Sequence, residues 1–259
     1  MVSRVTGPRA NSPYRILQVL VTGSTNADLL ARARAGEPAG FVLLADHQTA
    51  GRGRLERRWD APPGANLLAS LLLRPVRPAD QWFRATMALA VAAVDACRAR
   101  GVQATIKWPN DLLVDDDKLA GILAETDGAG AVVVGIGCNV AWPAPGELAG
   151  ATSLAAHGVI VTPAVLLDEI LAVFDEDAPD LLASYRARCA TIGRHVRIDL
   201  PDGTEVDGLA IGVDDDGLLV VQVAVADGTG AASQCIPGTV PAVVTHRFAV
   251  GDVVHARAR

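Results

Sequence analysis

The chain has 259 residues, half of them apolar, and a formal charge of −6, material enough for one large folded domain with a small appendage. The acidic balance argues against general nucleic-acid binding, which needs a basic face. No apolar run reaches a membrane span of about 20 residues, and the opening MVSRVTGPRANSPYR has no apolar core of a secretory signal.

In chain order, residues 14–23 (YRILQVLVTG) alternate as a first strand. Residues 24–36 (STNADLLARARAG) read as a short helix capped by Ser24 or Thr25, with Asp28 in its first turn and Gly36 at its end. Residues 40–46 (GFVLLAD) form an apolar strand, and after a Gly/Arg loop NLLASLLLRP (66–75) forms another, stopped by Pro75. Phe83, Met87, Ala90, Val91, Val94 and Cys97 recur at helical spacing and predict a helix over 79–100, ended by Gly101. Three strand-like pieces follow, at 104–108, 118–126 and 131–140, separated by the turn chemistry of PND with DDD and then DGAG.

Thr162 as N-cap and Pro163 at the first helical position begin a helix over 162–176, and another covers roughly 180–190. From Thr191 short strands joined by Asp/Gly turns predict a small β-barrel over 191–259, in which GTGAASQCIPGTVPAV (228–243) reads as an insertion-like surface loop. The order of elements favours an α+β fold, a mixed, largely antiparallel sheet backed by helices, over repeating βαβ units.

Cys97, Cys138, Cys189 and Cys235 are scattered without a CxxC pair, the pattern of reduced thiols in a cytoplasmic protein. His47, His157, His195, His246 and His255 show no metal-ligand spacing, and no GxSxG elbow exists. The stretch DHQTAGRGRLERRW (46–59) is the local exception to the acidic balance. Gly51 and Gly53 let successive N–H groups form an anion-binding concavity, to which Arg52 and Arg54 add charge. It is neither a Walker loop nor a dinucleotide fingerprint. The residue types alone leave a solvated basic loop or a nucleic-acid contact equally open.

Of the 23 basic residues only Lys107 and Lys118 are lysines. Lys107 begins KWPND, a strand-end turn carrying Asn110 and Asp111, and a plain exposed turn is the bland alternative. By strict alternation Lys118 shares a face with Ala120 and Ile122, bordering a pocket of small side chains, while Gly121 lies on the other face. GIGCN (135–139) ends a buried strand at Asn139. Glycine loop, arginines, two lysines and asparagines without a nucleophile suit charge stabilisation, as in activating a carboxylic acid with ATP.

TGSTN (22–26), HQTAGRGR (47–54) with Trp59, KWPNDLLV (107–114), KLAGILAE (118–125) and GIGCNV (135–140) occur together and in order. Each is weak alone, but together they resemble the biotin protein ligase family over about residues 14–142. The resemblance implies a class II synthetase-like sheet, with residues 14–190 as the catalytic biotin- and ATP-binding domain and 191–259 as an SH3-like β-barrel. It also implies two steps: biotin and Mg-ATP give biotinyl-5′-AMP and pyrophosphate, then a lysine of a biotin carboxyl carrier protein domain attacks the anhydride.

By motif, Lys118 resembles the catalytic lysine and Lys107 a second cation near the phosphates. Ser24, Thr25 and Gln48, with the backbone around Arg52, would hold the ureido ring, and Asn26, Gly51, Gly53 and Gly121 complete the biotin side. Arg54 would retain the adenylate and Trp59 order the closed loop. Asn110 and Asn139 fall on the nucleotide side, with Asp111 orienting Lys118 or a metal-bound water; no protein ligand of Mg2+ is assigned. Glu56 departs from the family's glycine, which bears on loop closure and ATP binding.

Relatives that double as repressors carry a winged helix, and about fifteen residues precede the first strand here, so no DNA binding is expected. The expected partners are biotin, ATP and the carrier domain, without nucleic acid or membrane, in a monomer or homodimer. A lipoate ligase or octanoyl transferase is the nearest rival, against which stands the absence of an Arg-Arg-x-Ser-Gly-Gly-Gly motif. A non-catalytic biotin or nucleotide sensor is the other, against which stands Lys118.

Overall fold

The computed structural model describes residues 4–6, 13–55, 57–224, 243–249 and 252–255. The chain divides into two compact units, Met1–Arg188 and Cys189–Arg259.

The first unit is built on strands β1 (Arg4–Thr6), β2 (Arg15–Thr22), β3 (Phe41–Gln48), β4 (Leu67–Leu73), β5 (Ala104–Lys107), β6 (Asp111–Val114), β7 (Asp117–Thr126) and β8 (Val132–Cys138). They form one eight-stranded sheet in the order β1-β2-β3-β4-β8-β7-β6-β5. Among the described strands only β2 and β3 pair in parallel, joined by the crossover helix α1 (Thr25–Arg34), as parallel pairing needs a crossover connection. The expectation of a mixed, largely antiparallel sheet with helices holds.

Central β4 is buried at every residue, as LLASLLL, apolar but for Ser70, predicts for a strand covered on both faces. On β8 alternate residues serve different faces. Val133 joins Leu29, Leu30 and Ala33 of α1 in one core cluster. Helix α2 (Phe83–Ala99), with Met87, Ala90, Val94 and Cys97 buried, packs on β5, β7 and β8.

Three local details differ from the sequence reading. The helix expected over 79–100 opens as a 3-10 turn at Ala79–Gln81 and becomes α-helical only at Phe83. Ser24 is the N-cap of α1 by position, but no side chain makes a cap hydrogen bond there. The stretch DLLV, read as part of a turn region, is strand β6, paired with both β5 and β7. Four residues are too few for a period to show.

Helix α3 (Pro163–Val173) starts as expected, with the Thr162 side chain accepting from the Val165 N–H at 3.3 Å. Helix α4 (Leu181–Arg188) is pinned to α2 by a two-pronged Arg188–Asp95 pair at 2.7 and 3.0 Å. The buried Tyr185 of α4 donates its hydroxyl to the Pro109 carbonyl at 3.1 Å and so fixes the KWPND turn.

The second unit is a five-stranded antiparallel sheet of β9 (His195–Asp199), β10 (Glu205–Val213), β11 (Leu219–Ala224), β12 (Val243–Phe248) and β13 (Asp252–His255), ordered β12-β11-β10-β9-β13. Val196, Ile198, Ala210, Val213, Leu219, Val221 and Val253 form its core. The Asp/Gly turns act as their chemistry predicts: Asp214 Oδ1 accepts from the N–H groups of Asp216 and Leu218, both at 3.0 Å. Closure of this sheet into an SH3-like barrel stays an expectation. Cys235 and the insertion-like segment up to 242 lie outside the described residues. Among the described residues no helix is long and apolar enough to cross a membrane.

Candidate active site

At the start of α1 the TGSTN stretch builds a polar socket. The Thr25 N–H donates to Gln48 Oε1 at 2.7 Å, and the Thr25 hydroxyl lies 3.0 Å from the same oxygen. Ser70, from the middle of β4, places its hydroxyl 2.6 Å from Asn26 Oδ1 and 2.7 Å from Thr25 Oγ1. Asn26 Nδ2 donates to the Leu123 carbonyl at 3.0 Å and to Glu125 Oε2 at 2.8 Å. Ser24, Thr25, Asn26, Gln48 and Ser70 are all buried, and this mutual bonding is what makes so polar a cluster tolerable inside a protein. Gly135 is required beside it: a Cβ there would stand 2.2 Å from Asn26 Oδ1.

The arginine loop is a small hairpin. Arg52 bridges Arg58, the Trp59 N–H donates to the Gly51 carbonyl at 3.0 Å, and the Gly53 N–H to the Arg57 carbonyl at 2.6 Å. A Cβ on Gly51 would fall 2.3 Å from the Trp59 carbonyl, so this close approach needs glycine. Three contacts fasten the hairpin to the sheet. Arg52 Nη2 pairs with Glu125 Oε2 at 2.9 Å, and Arg54 Nη1 donates to Asn110 Oδ1 at 3.0 Å. The Trp59 ring lies over Gly121 and Gly137, which face each other across β7 and β8. Its Nε1 is buried without a hydrogen-bond partner among the described residues. Glu56 lies outside the described residues.

Lys118 sits beside this ring. Its Nζ is 2.7 Å from Asp111 Oδ1 and 5.5 Å from the Trp59 ring centroid. The face is the opposite of the one strict alternation gives. The β6–β7 register pairs Leu112 with Ala120 but Leu113 with Lys118, leaving Leu119 as an extra residue. That bulge reverses the parity of the strand. Ala120 and Ile122 are buried in the core, whereas Lys118 shares the face of Gly121, whose Cβ would meet Lys118 Nζ at 3.2 Å.

Lys107 stands directly across from Asp111 in the β5–β6 ladder, half-buried. Asn110 uses Nδ2 on the Ile122 carbonyl at 2.7 Å, so the turn and the loop meet at its amide. Asn139 spends its amide within the protein: Oδ1 accepts from Asn66 Nδ2 at 3.1 Å, and Nδ2 donates to the carbonyls of Thr152 at 2.9 Å and Lys118 at 3.3 Å. It holds the loop after β8 against the strand that carries Lys118.

Ser70, Glu125, Asn66, Gly135 and Gly137 join the site although the sequence reading assigned them nothing. Ser70 sits inside an apolar run, a polar anomaly that could have marked it. Burial raises the thiol of Cys138, at the end of β8, well above its usual value, and pushes that of Cys97 up to about 12. Neither is a nucleophile near neutral pH. Among the described residues no group of three His, Cys, Asp or Glu side chains could hold a metal ion. The arrangement offers a saturated polar socket, a side-chain-free floor, and an ammonium beside it under a cationic hairpin.

Residues 21–141 match the biotin/lipoate A/B protein ligase family, and residues 191–255 match the biotin protein ligase C-terminal domain. The chain is 43% identical over 230 residues to a biotin–[acetyl-CoA-carboxylase] ligase of Mycobacterium tuberculosis, spanning 83% of this chain and 86% of that one. It is 36% identical over 220 residues to the bifunctional ligase/repressor BirA of Bacillus spizizenii, spanning 78% of this chain and 67% of that one. A biotin protein ligase from Aquifex aeolicus in complex with biotin and ATP shares the fold, with a TM-score of 0.73 at 22% identity, over 94% of this chain and 99% of that one.

Proposed function

The chain belongs to the biotin protein ligase family, and from that premise we propose that it activates biotin with ATP to biotinyl-5′-AMP and transfers biotin to a lysine of a biotin carboxyl carrier protein domain. The observation that carries the reading is Lys118 held by Asp111 at the edge of the Gly121–Gly137 floor. Once the Trp59 ring that covers this strip moves aside with the hairpin, the two glycines leave a flat surface that accepts an acyl chain lying on the sheet. The ammonium at its end stabilises the negative charge that develops as a carboxylate oxygen attacks the α-phosphorus and pyrophosphate leaves. In the second step the carrier amine attacks the acyl carbon and AMP departs.

Ser24, Thr25 and Gln48 take the ureido head, with the backbone of Gly51 to Gly53 closing over it, while Asn26, its amide fully bonded within the protein, holds the socket in shape. Arg54, held by Asn110, retains the adenylate. Lys107 is the second cation near the phosphates. Asn139 serves the nucleotide side through the wall that it ties to Lys118. Mg2+ fits as an ion carried on the triphosphate: the residues assigned to the nucleotide side include one carboxylate, Asp111, and magnesium is commonly held by phosphate oxygens and water with one or two carboxylates. In this reading residues 14–190 carry the reaction. The acidic charge of −6 supports a role without nucleic acid, and the buried thiols of Cys97 and Cys138 support a cytoplasmic setting.

Pyrophosphate exchange into ATP, with magnesium and either biotin or lipoate, tests the reading. Exchange that depends on biotin is expected. Exchange with lipoate alone would move the chain to the lipoate branch of its family, and none with either acid would remove the enzymatic reading.

A further inference from the structure

Glu125 closes the KLAGILAE stretch, and the reaction described above gives it no task. Alternation along β7 puts Gly121, Leu123 and Glu125 on one face, and the contacts agree. One carboxylate oxygen, Glu125 Oε2, accepts from Asn26 Nδ2 at 2.8 Å and from Arg52 Nη2 at 2.9 Å. These donors come from different parts of the site, the buried first turn of α1 and the hairpin over the floor. Asn26 has no freedom to turn away, because Leu123 O takes its other amide hydrogen and Ser70 donates to its oxygen.

An ion pair as open as this one, with Arg52 45% and Glu125 24% exposed, does little alone in water. Sharing its acceptor with a buried, saturated amide changes that. Asn26 pre-sets the carboxylate, so the guanidinium meets an oxygen already in place and the ordering cost of the pair falls.

We propose that Glu125 is a positioning residue that latches Arg52, and with it the 51–59 hairpin, to the socket turn, so that one carboxylate couples occupancy of the socket to retention of the adenylate. The inference rests on the ligase reading for the adenylate and on geometry alone for the latch. Asn26 holds Glu125 in place before any ligand arrives, so the ligand acts through the hairpin backbone that closes over it: a latched hairpin tightens the hold on that ligand and, by linkage, the ligand steadies the latch.

The test uses the full chain and the variants Glu125→Ala, Glu125→Gln, Arg52→Ala and the double alanine. Trypsin cleavage after Arg54, Arg57 and Arg58, followed by mass spectrometry, reads hairpin opening without any substrate. Escape of biotinyl-AMP from protein supplied with biotin and Mg-ATP reads retention. In Glu125→Ala both should rise about fivefold, with the loss of activity falling on KM for biotin rather than on kcat. Glu125→Gln keeps an acceptor without the charge and should recover part of both effects. The double alanine should add nothing to either single change, since both remove one link. Wild-type cleavage and escape in Glu125→Ala, or additive effects in the double variant, would overturn the latch. Faster cleavage in variants of a protein that makes no biotinyl-AMP would instead overturn the ligase reading and leave the latch standing.

Discussion

Gly135 and Gly137 lie two residues apart on β8 and open onto the same face of the sheet, yet they border regions of different character. A Cβ at Gly135 would stand 2.2 Å from Asn26 Oδ1, and one at Gly137 would stand 2.5 Å from the Trp59 ring. The overlaps are alike; the neighbours are not. Asn26 is 5% exposed, with every polar atom of its amide bonded. Trp59 belongs to a hairpin fastened at three points, with an indole N–H that has no partner among the described residues. The socket is finished before any ligand arrives, while the hairpin has capacity to move. A site that must recognise a small head group and then shelter a reactive anhydride benefits from that division.

Substitutions can break the comparison or sharpen it. The largest effect is expected at the junction of the two regions. Lys118→Ala should lower biotin-dependent pyrophosphate exchange by about 100-fold or more. The melting temperature should stay near wild type, because the Lys118 side chain is 36% exposed. Wild-type turnover would remove Lys118 from its role. Gly135→Ala comes next: with Asn26 unable to give way, urea titration should show a loss of about 2 to 3 kcal/mol together with weaker biotin binding. Retained stability would mean that the socket is softer than its bonding suggests.

Changes in the hairpin, or in the floor beneath its Trp59 ring, should cost little stability and act on retention and binding. Arg54→Gly should release biotinyl-AMP and label bystander lysines, about tenfold over wild type by streptavidin blot; labelling confined to the carrier domain would contradict this role. Gly137→Ala should be mildest, below about 1 kcal/mol in stability, with kcat/KM for biotin reduced a few-fold as the Trp59 ring shifts. If Gly137→Ala destabilised the fold as much as Gly135→Ala, the contrast between the two regions would be lost.

The same contrast marks what could be read from the amino acids. Features set by a few consecutive residues were legible: the apolar run of β4, the Thr162–Pro163 helix start, the helical spacing of α2, and the motif stretches that meet at the site. Features set by register were not. The bulge at Leu119 depends on how β7 pairs with β6, so simple alternation places Lys118 on the wrong face. Asn139 reads as a ligand-facing amide until Asn66, Thr152 and the Lys118 carbonyl, distant in sequence, are seen to consume it. Ser70 and Glu125 gain meaning only through partners 44 and 99 residues away.

Residue-resolved amide exchange, with and without biotin and Mg-ATP, addresses the division between socket and hairpin most directly. The Thr25 amide, bonded to Gln48, should exchange slowly in both states. The amides of Gly53 and Trp59, bonded only within the hairpin, should exchange quickly without ligand and slow by about tenfold or more with it. If Gly53 and Trp59 are as protected as Thr25 in the free protein, or if Thr25 gains the most on binding, the socket is not prebuilt and the hairpin is not the moving part.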